Sequence, residues 1–373
     1  MLSSARRAPV DHLNGREGPV RLPTSACRRL TAGPLPLLLL LAACGRGPAY
    51  GSDNAIIAVV DPALRDRVEP VLRQALEREV ETTRSEPVFE VTFTTPAGIG
   101  EFQKWKRLLV VEPGSGDAVL LPELVDTPLE GPVSTVVHDK WARGQTIHVL
   151  AAPTPEATED LVRASVDSLY QALHAEFVAF HVDRMWASGA DSALARSLEN
   201  ELGFSILLPN VYQPAAASAP ADSRVWYNED PRRVVALHWL PRPARLTADT
   251  LLAVRIDWGR RLFPGDSIPG RLQAPQGEVP GADSLVGSGP AVRAQETRLG
   301  GLPALRLQGT WTSPSDVGAG LFVTYGVICG ERLVVLDGNL YAPDRDKYPY
   351  VVQLDRIFET LRCTAADEDR EAA

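Results

Sequence analysis

The chain has 373 residues, 45% hydrophobic and 23% charged, with a formal net charge of −9. That apolar share is ordinary for a globular protein and excludes a disordered tether; the acidic balance excludes nucleic acid, whose binding needs basic patches that displace counterions. The length exceeds what one core supports and points to two domains.

The first pattern met along the chain is a targeting signal. Six arginines, the last two Arg28 and Arg29, precede an apolar run from Leu35 to Ala43. About nine residues fall far short of the roughly 20 that span a bilayer as a helix, but suit a signal h-region. The run closes as Leu41-Ala42-Ala43-Cys44, small residues before one cysteine, which is the form of a bacterial lipobox. A buried helix is the bland alternative, and Gly45-Arg46-Gly47-Pro48 speaks against it. Residues 1–43 are therefore expected to be a signal peptide, Cys44 the lipidation (palmitate) site, and residues 44–54 a lipidated tether. Two or three acyl chains anchor stably where one binds only marginally. The n-region is long, so the expected translation start lies nearer Arg28. Gly45 leans toward an outer-membrane protein facing the periplasm. Without residues 1–43, which hold six arginines and two acids, the net charge falls to −13.

Alternating strand and helix patterns follow. Ala55 to Val60 reads as a strand, and Asp61-Pro62 predicts a helix start with proline at the first position. Leu64, Val68, Val71, Leu72, Ala75 and Leu76 repeat at helical spacing. Val88 to Phe93 returns to strand, Phe102 and Trp105 sit on a short helix, and Leu108 to Val111 and Thr146 to Leu150 are further strands. Thr154 caps a long helix from Pro155 to about Trp186. This alternation predicts an α/β layer domain over residues 55–188.

The character then changes to strands. Leu202 to Pro209 opens this half, with Val225 to Tyr227 and Val234 to Trp239 as the next pair. Thr247 caps a helix from Ala248 to Leu262, and residues 264–290 read as a surface loop. Three strands follow, Leu302 to Trp311, Leu321 to Ile328 and Leu333 to Leu340, the last two joined by a turn at Cys329-Gly330-Glu331-Arg332. A helix from Tyr348 to Arg362 ends the domain. The overall class is thus α/β and α+β: an N-terminal α/β layer, then a C-terminal antiparallel sheet flanked by helices at 200–363, with the boundary between Ser188 and Leu202 and a disordered tail at 364–373.

With Cys44 acylated and Cys27 removed, Cys329 and Cys363 remain. In an oxidising envelope two leftover thiols are expected to pair; the alternative is two separately buried thiols.

The order in the second half, a Gly203-Phe204-Ser205-Ile206-Leu207-Leu208-Pro209 opening, a central helix, a long hairpin and a terminal helix, resembles the PsbP-like group. The lipobox with Asp53-Asn54-Ala55-Ile56-Ile57-Ala58-Val59-Val60-Asp61, Trp141-Ala142-Arg143-Gly144-Gln145 and Leu340-Tyr341-Ala342-Pro343 resembles lipoproteins of domain-of-unknown-function family 4837. That resemblance implies no activity, ligand set or residue role.

Chemical signatures are sparse. His174 and His181 lie two helical turns apart, about 10 Å, too far to share a metal ion, and neither HExxH nor paired-cysteine spacing is present. They read as the polar rim of a packed face. His138-Asp139 with Ser134 lacks a G-x-S-x-G elbow, and His148 and His238 read as neutral strand histidines. Gly98-Ile99-Gly100 and Gly114-Ser115-Gly116 are turns. Trp226, Trp239, Trp258 and Trp311 pack a core or line a ligand cradle. Asp344-Arg345-Asp346-Lys347 reads as the cap of the terminal helix. No catalytic residue, metal site or cofactor is assigned. The expected function is a non-catalytic binding or accessory module on a lipid anchor in the membrane, with an envelope protein or small ligand as partner. The alternative is an envelope hydrolase with its site in the interdomain cleft.

Overall fold

A computed structural model describes residues 46–115, 118–215, 219–273, 291–313 and 318–364. The signal-peptide and Cys44 lipidation readings, and the tail from Ala365 onward, lie outside the described residues.

Strand β1 (Ala55–Val60) is buried along its whole length, as a continuous apolar run requires when a strand is covered on both faces. Helix α1 (Arg65–Leu76) begins later than Asp61-Pro62 predicts. The Asp61 carboxylate accepts the Ala63 amide at 2.8 Å and holds the intervening residues in a turn. A hairpin of β2 (Glu79–Glu81) and β3 (Ser85–Pro87) leads to β4 (Glu90–Thr94), and a 3-10 helix (Pro96–Glu101) ends before Phe102 and Trp105. Then come β5 (Arg107–Val111), α2 (Leu121–Leu124), β6 (Val133–His138), β7 (Thr146–Ala151) and α3 (Pro155–Trp186), the last capped by Thr154 as its sequence predicts.

These strands form one sheet in the order β4-β1-β5-β7-β6, parallel except for β6. One face buries Ile56, Ala58 and Val60 against Val68, Leu72 and Leu76 of α1 and Val162, Leu173 and Phe177 of α3. The other buries Ile57, Val59 and Val110 against Ile99, Leu121 and Leu124. Edge strand β6 escaped the sequence reading because its residues stay half exposed.

The expected polar boundary holds a helix, α4 (Ser192–Leu202), capped by Asp191, which accepts the Leu194 amide at 2.8 Å. Of the predicted strand Leu202 to Pro209, Phe204–Ser205 forms strand β8 and Pro209 makes a single antiparallel bridge to Ala190; between them Thr360 Oγ1 takes the Leu207 amide at 2.8 Å and draws the chain away. After β9 (Gln213–Pro214) come β10 (Ser223–Glu229), β11 (Arg232–Pro241), α5 (Ala248–Leu262), β12 (Arg293–Leu299), β13 (Leu302–Ser313), β14 (Gly318–Cys329), β15 (Arg332–Tyr341), α6 (Tyr348–Phe358) and β16 (Arg362–Cys363). Helix α6 stops short of the predicted Arg362, because Arg362 and Cys363 pair with Ser205 and Phe204.

The second sheet runs β12-β13-β14-β15-β11-β10-β9, antiparallel throughout. Alternate residues of β14 sort to its two faces. Leu321, Val323, Tyr325 and Val327 join Leu354, Ile357 and Phe358 of α6, while Phe322 joins Leu251 and Leu252 of α5. Each helix sits close because glycine lies beneath it. A Cβ on Gly326 would meet Leu251 at 2.7 Å, and one on Gly338 would meet Leu354 at 2.9 Å. Val352 of α6 packs into the core between the parallel sheet and α3, and residues from Arg46 onward form one compact unit.

Candidate functional site

A cleft of about 530 Å³ opens between the C-terminal half of α3 and the start of α6. Arg233 forms its floor. It is the second residue of β11 and shares the parity of Val235 and Leu237, so its side chain enters the face that the apolar residues use. Only 7% of it is exposed. Its guanidinium contacts two aromatic rings, 5.8 Å from the centre of Tyr212 and 5.3 Å from that of Tyr350. Nη1 donates to Gln353 Oε1, and Gln353 Nε2 donates to the His181 carbonyl at 3.2 Å. Among the described residues Arg233 has no carboxylate within ion-pair distance.

The α3 wall is aromatic. Phe177 stacks on Tyr348 at 5.8 Å and meets the His181 ring edge-on at 4.4 Å. Tyr348 shares a 2.6 Å hydrogen bond with His174 Nε2. Burial pushes the Tyr348 phenol up to about 12 and raises that of Tyr212 as well, so both hydroxyls keep their protons at neutral pH. Among the described residues, His181 Nε2, Tyr212 Oη and Arg233 Nε of the cleft are buried without a partner.

The acids at the rim are each paired. Asp53 meets Lys106, Asp230 meets Arg345 at 2.8 Å, and Asp346 meets Arg84 at 2.9 Å. The cap of α6 also comes from afar. Its predicted source, the run Asp344 to Lys347, supplies none; Glu86 of β3 accepts the amides of Lys347 at 2.7 Å and Tyr348 at 3.2 Å.

Burial, opposed in part by Asp53, pulls His181 from its ordinary 6.5 down to about 4. Burial lowers His174 and His238 too. Unfolded chain then binds more protons than folded chain between pH 6.5 and 4, so stability is present above that window and is lost as pH falls through it. For His181 the loss should reach about 2 kcal/mol after allowance for solvent screening. Urea unfolding of wild type and His181→Gln across this range measures it; parallel pH profiles would refute it.

The other sequence candidates scatter. Cys329 and Cys363 form a disulfide with Cα atoms 5.8 Å apart; Cys363 lies in β16 rather than at a helix end. His148 bonds Glu176 at 2.9 Å, and His238 Nδ1 donates to the Asp222 carbonyl at 2.9 Å. His138 and Ser134 are both exposed on edge strand β6. Among the described residues no three His, Cys, Asp or Glu side chains gather in a metal-binding group. The tryptophans make no common cradle: Trp226 and Trp239 pack toward the α6 face, Trp311 toward α5, and Trp258 is buried, donating to Ser223 Oγ at 2.9 Å. Arg233, Tyr212, Tyr350 and Gln353 were missed as site residues. The available signal was the charge at a core-parity position, Arg233 in line with Val235 and Leu237.

The site is walled by residues of both halves, and each half matches a different family. Residues 191–360 match the domain of unknown function DUF4837. Residues 49–185 match another domain of unknown function, DUF8532. The resemblance to DUF4837 therefore holds over the second half, where Leu340 to Pro343 lies. Asp53 to Asp61 and Trp141 to Gln145 fall in the other family's match. No curated protein matches the chain. Among solved structures, it is similar to PsbP (CyanoP) from Synechocystis sp. PCC 6803, at 13% identity over 43% of this chain and 86% of that one, with a TM-score of 0.30. It is also similar to LpqN of Mycobacterium tuberculosis, described as involved in cell envelope biogenesis, at 14% identity over 42% and 79%, with a TM-score of 0.24. Among the described residues no helix is long and apolar enough to cross a membrane.

Proposed function

We propose that this protein is a lipid-anchored module of the cell envelope, held at the outer membrane through Cys44, that binds a ligand in the cleft without transforming it. The observation that carries the binding part is Arg233, a buried cation beside two tyrosines with its Nε unpartnered among the described residues. Leaving such a donor unmet costs about 1–3 kcal/mol, and a ligand would offset that cost.

Hydrolysis is the rival, and it needs a nucleophile, a base and a group to orient them. The rim carboxylates are held by cations, and His181 contacts aromatic rings rather than a hydroxyl or thiol. These contacts favour binding over turnover. The anchoring part rests on the lipobox Leu41-Ala42-Ala43-Cys44. Metabolic labelling with a fatty-acid analogue tests it: wild type should carry label and Cys44→Ala should carry none and accumulate as precursor. Equal label in both would remove the lipoprotein reading.

A further inference from the structure

We infer that the cleft selects a carboxylate borne on an aromatic body, with the carboxylate on Arg233 and Tyr212 and the ring against Tyr348 and Tyr350; this rests on the cleft being a ligand site. Charge complementarity comes first. Asp230 and Asp346 are each held by one cation and Asp53 is shared by Lys106 and Arg184, which leaves Arg233 as the cleft's buried cation with no carboxylate within ion-pair distance among the described residues. One fixed cation calls for one negative charge. The planar guanidinium has spent Nη1 on Gln353 and keeps Nε unpartnered, and arginine binds carboxylates through such paired donors.

Tyr212 supplies a second donor. Its hydroxyl is buried without a partner, and its ring already faces the guanidinium. A protonated phenol donates to an anion and would be wasted on a cation. His181 Nε2, also buried and unpartnered, is neutral at pH 7 and adds no repulsion to a carboxylate. The body of the ligand then meets flat faces. Phe177 and Tyr348 lie nearly parallel, 8° apart, and the Tyr350 ring lies 5.3 Å from the Arg233 guanidinium. Rings favour ring partners in offset or edge contacts, and the cleft volume is in the range of small-molecule sites.

Three probes test this on the folded chain: 3-phenylpropionate, its uncharged amide 3-phenylpropanamide, and the aliphatic carboxylate hexanoate. Binding is followed by calorimetry and by the arginine Nε–H signals in 15N NMR. The expected result is that 3-phenylpropionate binds roughly tenfold or more tighter than either other probe, the range of one charge-assisted hydrogen-bonded contact, and shifts the Arg233 Nε–H signal. Arg233→Met should abolish the preference for the acid over the amide. Tyr212→Phe, which removes one oxygen and keeps the packing, should weaken the acid severalfold and leave the amide unchanged, so the assignment stays testable if Arg233→Met does not fold. Equal binding of acid and amide would overturn the carboxylate and leave the binding cleft standing. Equal binding of hexanoate would overturn the aromatic body alone. Binding of the acid that leaves Arg233 unshifted, or no binding of any probe, would overturn the inference, and the second result would remove the binding cleft with it.

Discussion

Arg255→Met should destabilise the fold by about 3–5 kcal/mol, the usual cost of leaving a buried charge without its partner. Asp337 on β15 has no solvent exposure, and Arg255 of α5 reaches it from the opposite layer with Nε at 2.9 Å from Oδ1. The remaining valences are filled locally. Arg255 Nη2 donates to Asn339 Oδ1 at 2.9 Å, Asn339 Nδ2 donates to Asp337 Oδ2 at 2.6 Å, and Thr324 donates to Asp337 Oδ1. Phe322 lies under the guanidinium at 4.7 Å. A network whose members are all satisfied tolerates loss of any one poorly. Joint replacement, Arg255→Met with Asp337→Leu, should recover much of the loss, since exchange of a buried pair for apolar side chains is often neutral. Urea midpoints at unchanged slope measure both variants. A loss below about 1 kcal/mol in Arg255→Met would mean that Thr324 and Asn339 alone sustain the carboxylate.

Removing the disulfide should cost roughly 3–4 kcal/mol, from the entropy of a closed loop of this length. The cysteines are 34 positions apart, and the loop encloses β15 and α6. Cys329 ends β14, where Gly330 at φ +56° makes the turn into β15. Cys363 pairs with Phe204 in the short β8-β16 ladder. The bond thus ties the end of the chain, just past α6, to the sheet that α6 covers. Cys329→Ala with Cys363→Ala should unfold at lower urea than oxidised wild type and should ignore reductant, while reduced wild type should approach the double variant. Oxidised and reduced wild type unfolding together would refute the contribution. Hydrogen exchange should quicken first at residues 362–364, whose backbone pairs with residues 203–205.

How much of this was legible in the chain differs from element to element. The starts of helices α3 and α5 were readable because Thr154 and Thr247 cap them and their amide bonds are local. The β14-β15 hairpin was readable because a four-residue turn joins two apolar runs. Strands β6 and β12 were not, since edge strands keep much of their surface exposed and lose the apolar pattern. The cleft was legible only in fragments. His181 is legible as a histidine on a helical face, whereas the isolation of Arg233 from acids depends on residues far away in sequence.

The α6 cap shows the same division most sharply. Sequence by itself determined that a helix would start near Tyr348, since its apolar spacing is a property of neighbouring residues. Only the tertiary structure decided that Glu86, 261 positions earlier, would cap it. The two-layer class, the capped helices and the isolation of two cysteines follow from local bonding and burial, which composition and period encode. The partners of Asp337, the pairing of Cys363 with Phe204 and the unpartnered donors of the cleft follow from which surfaces meet. That depends on packing two sheets through α3 and α6, a contact between residues more than 150 positions apart that no local pattern carries.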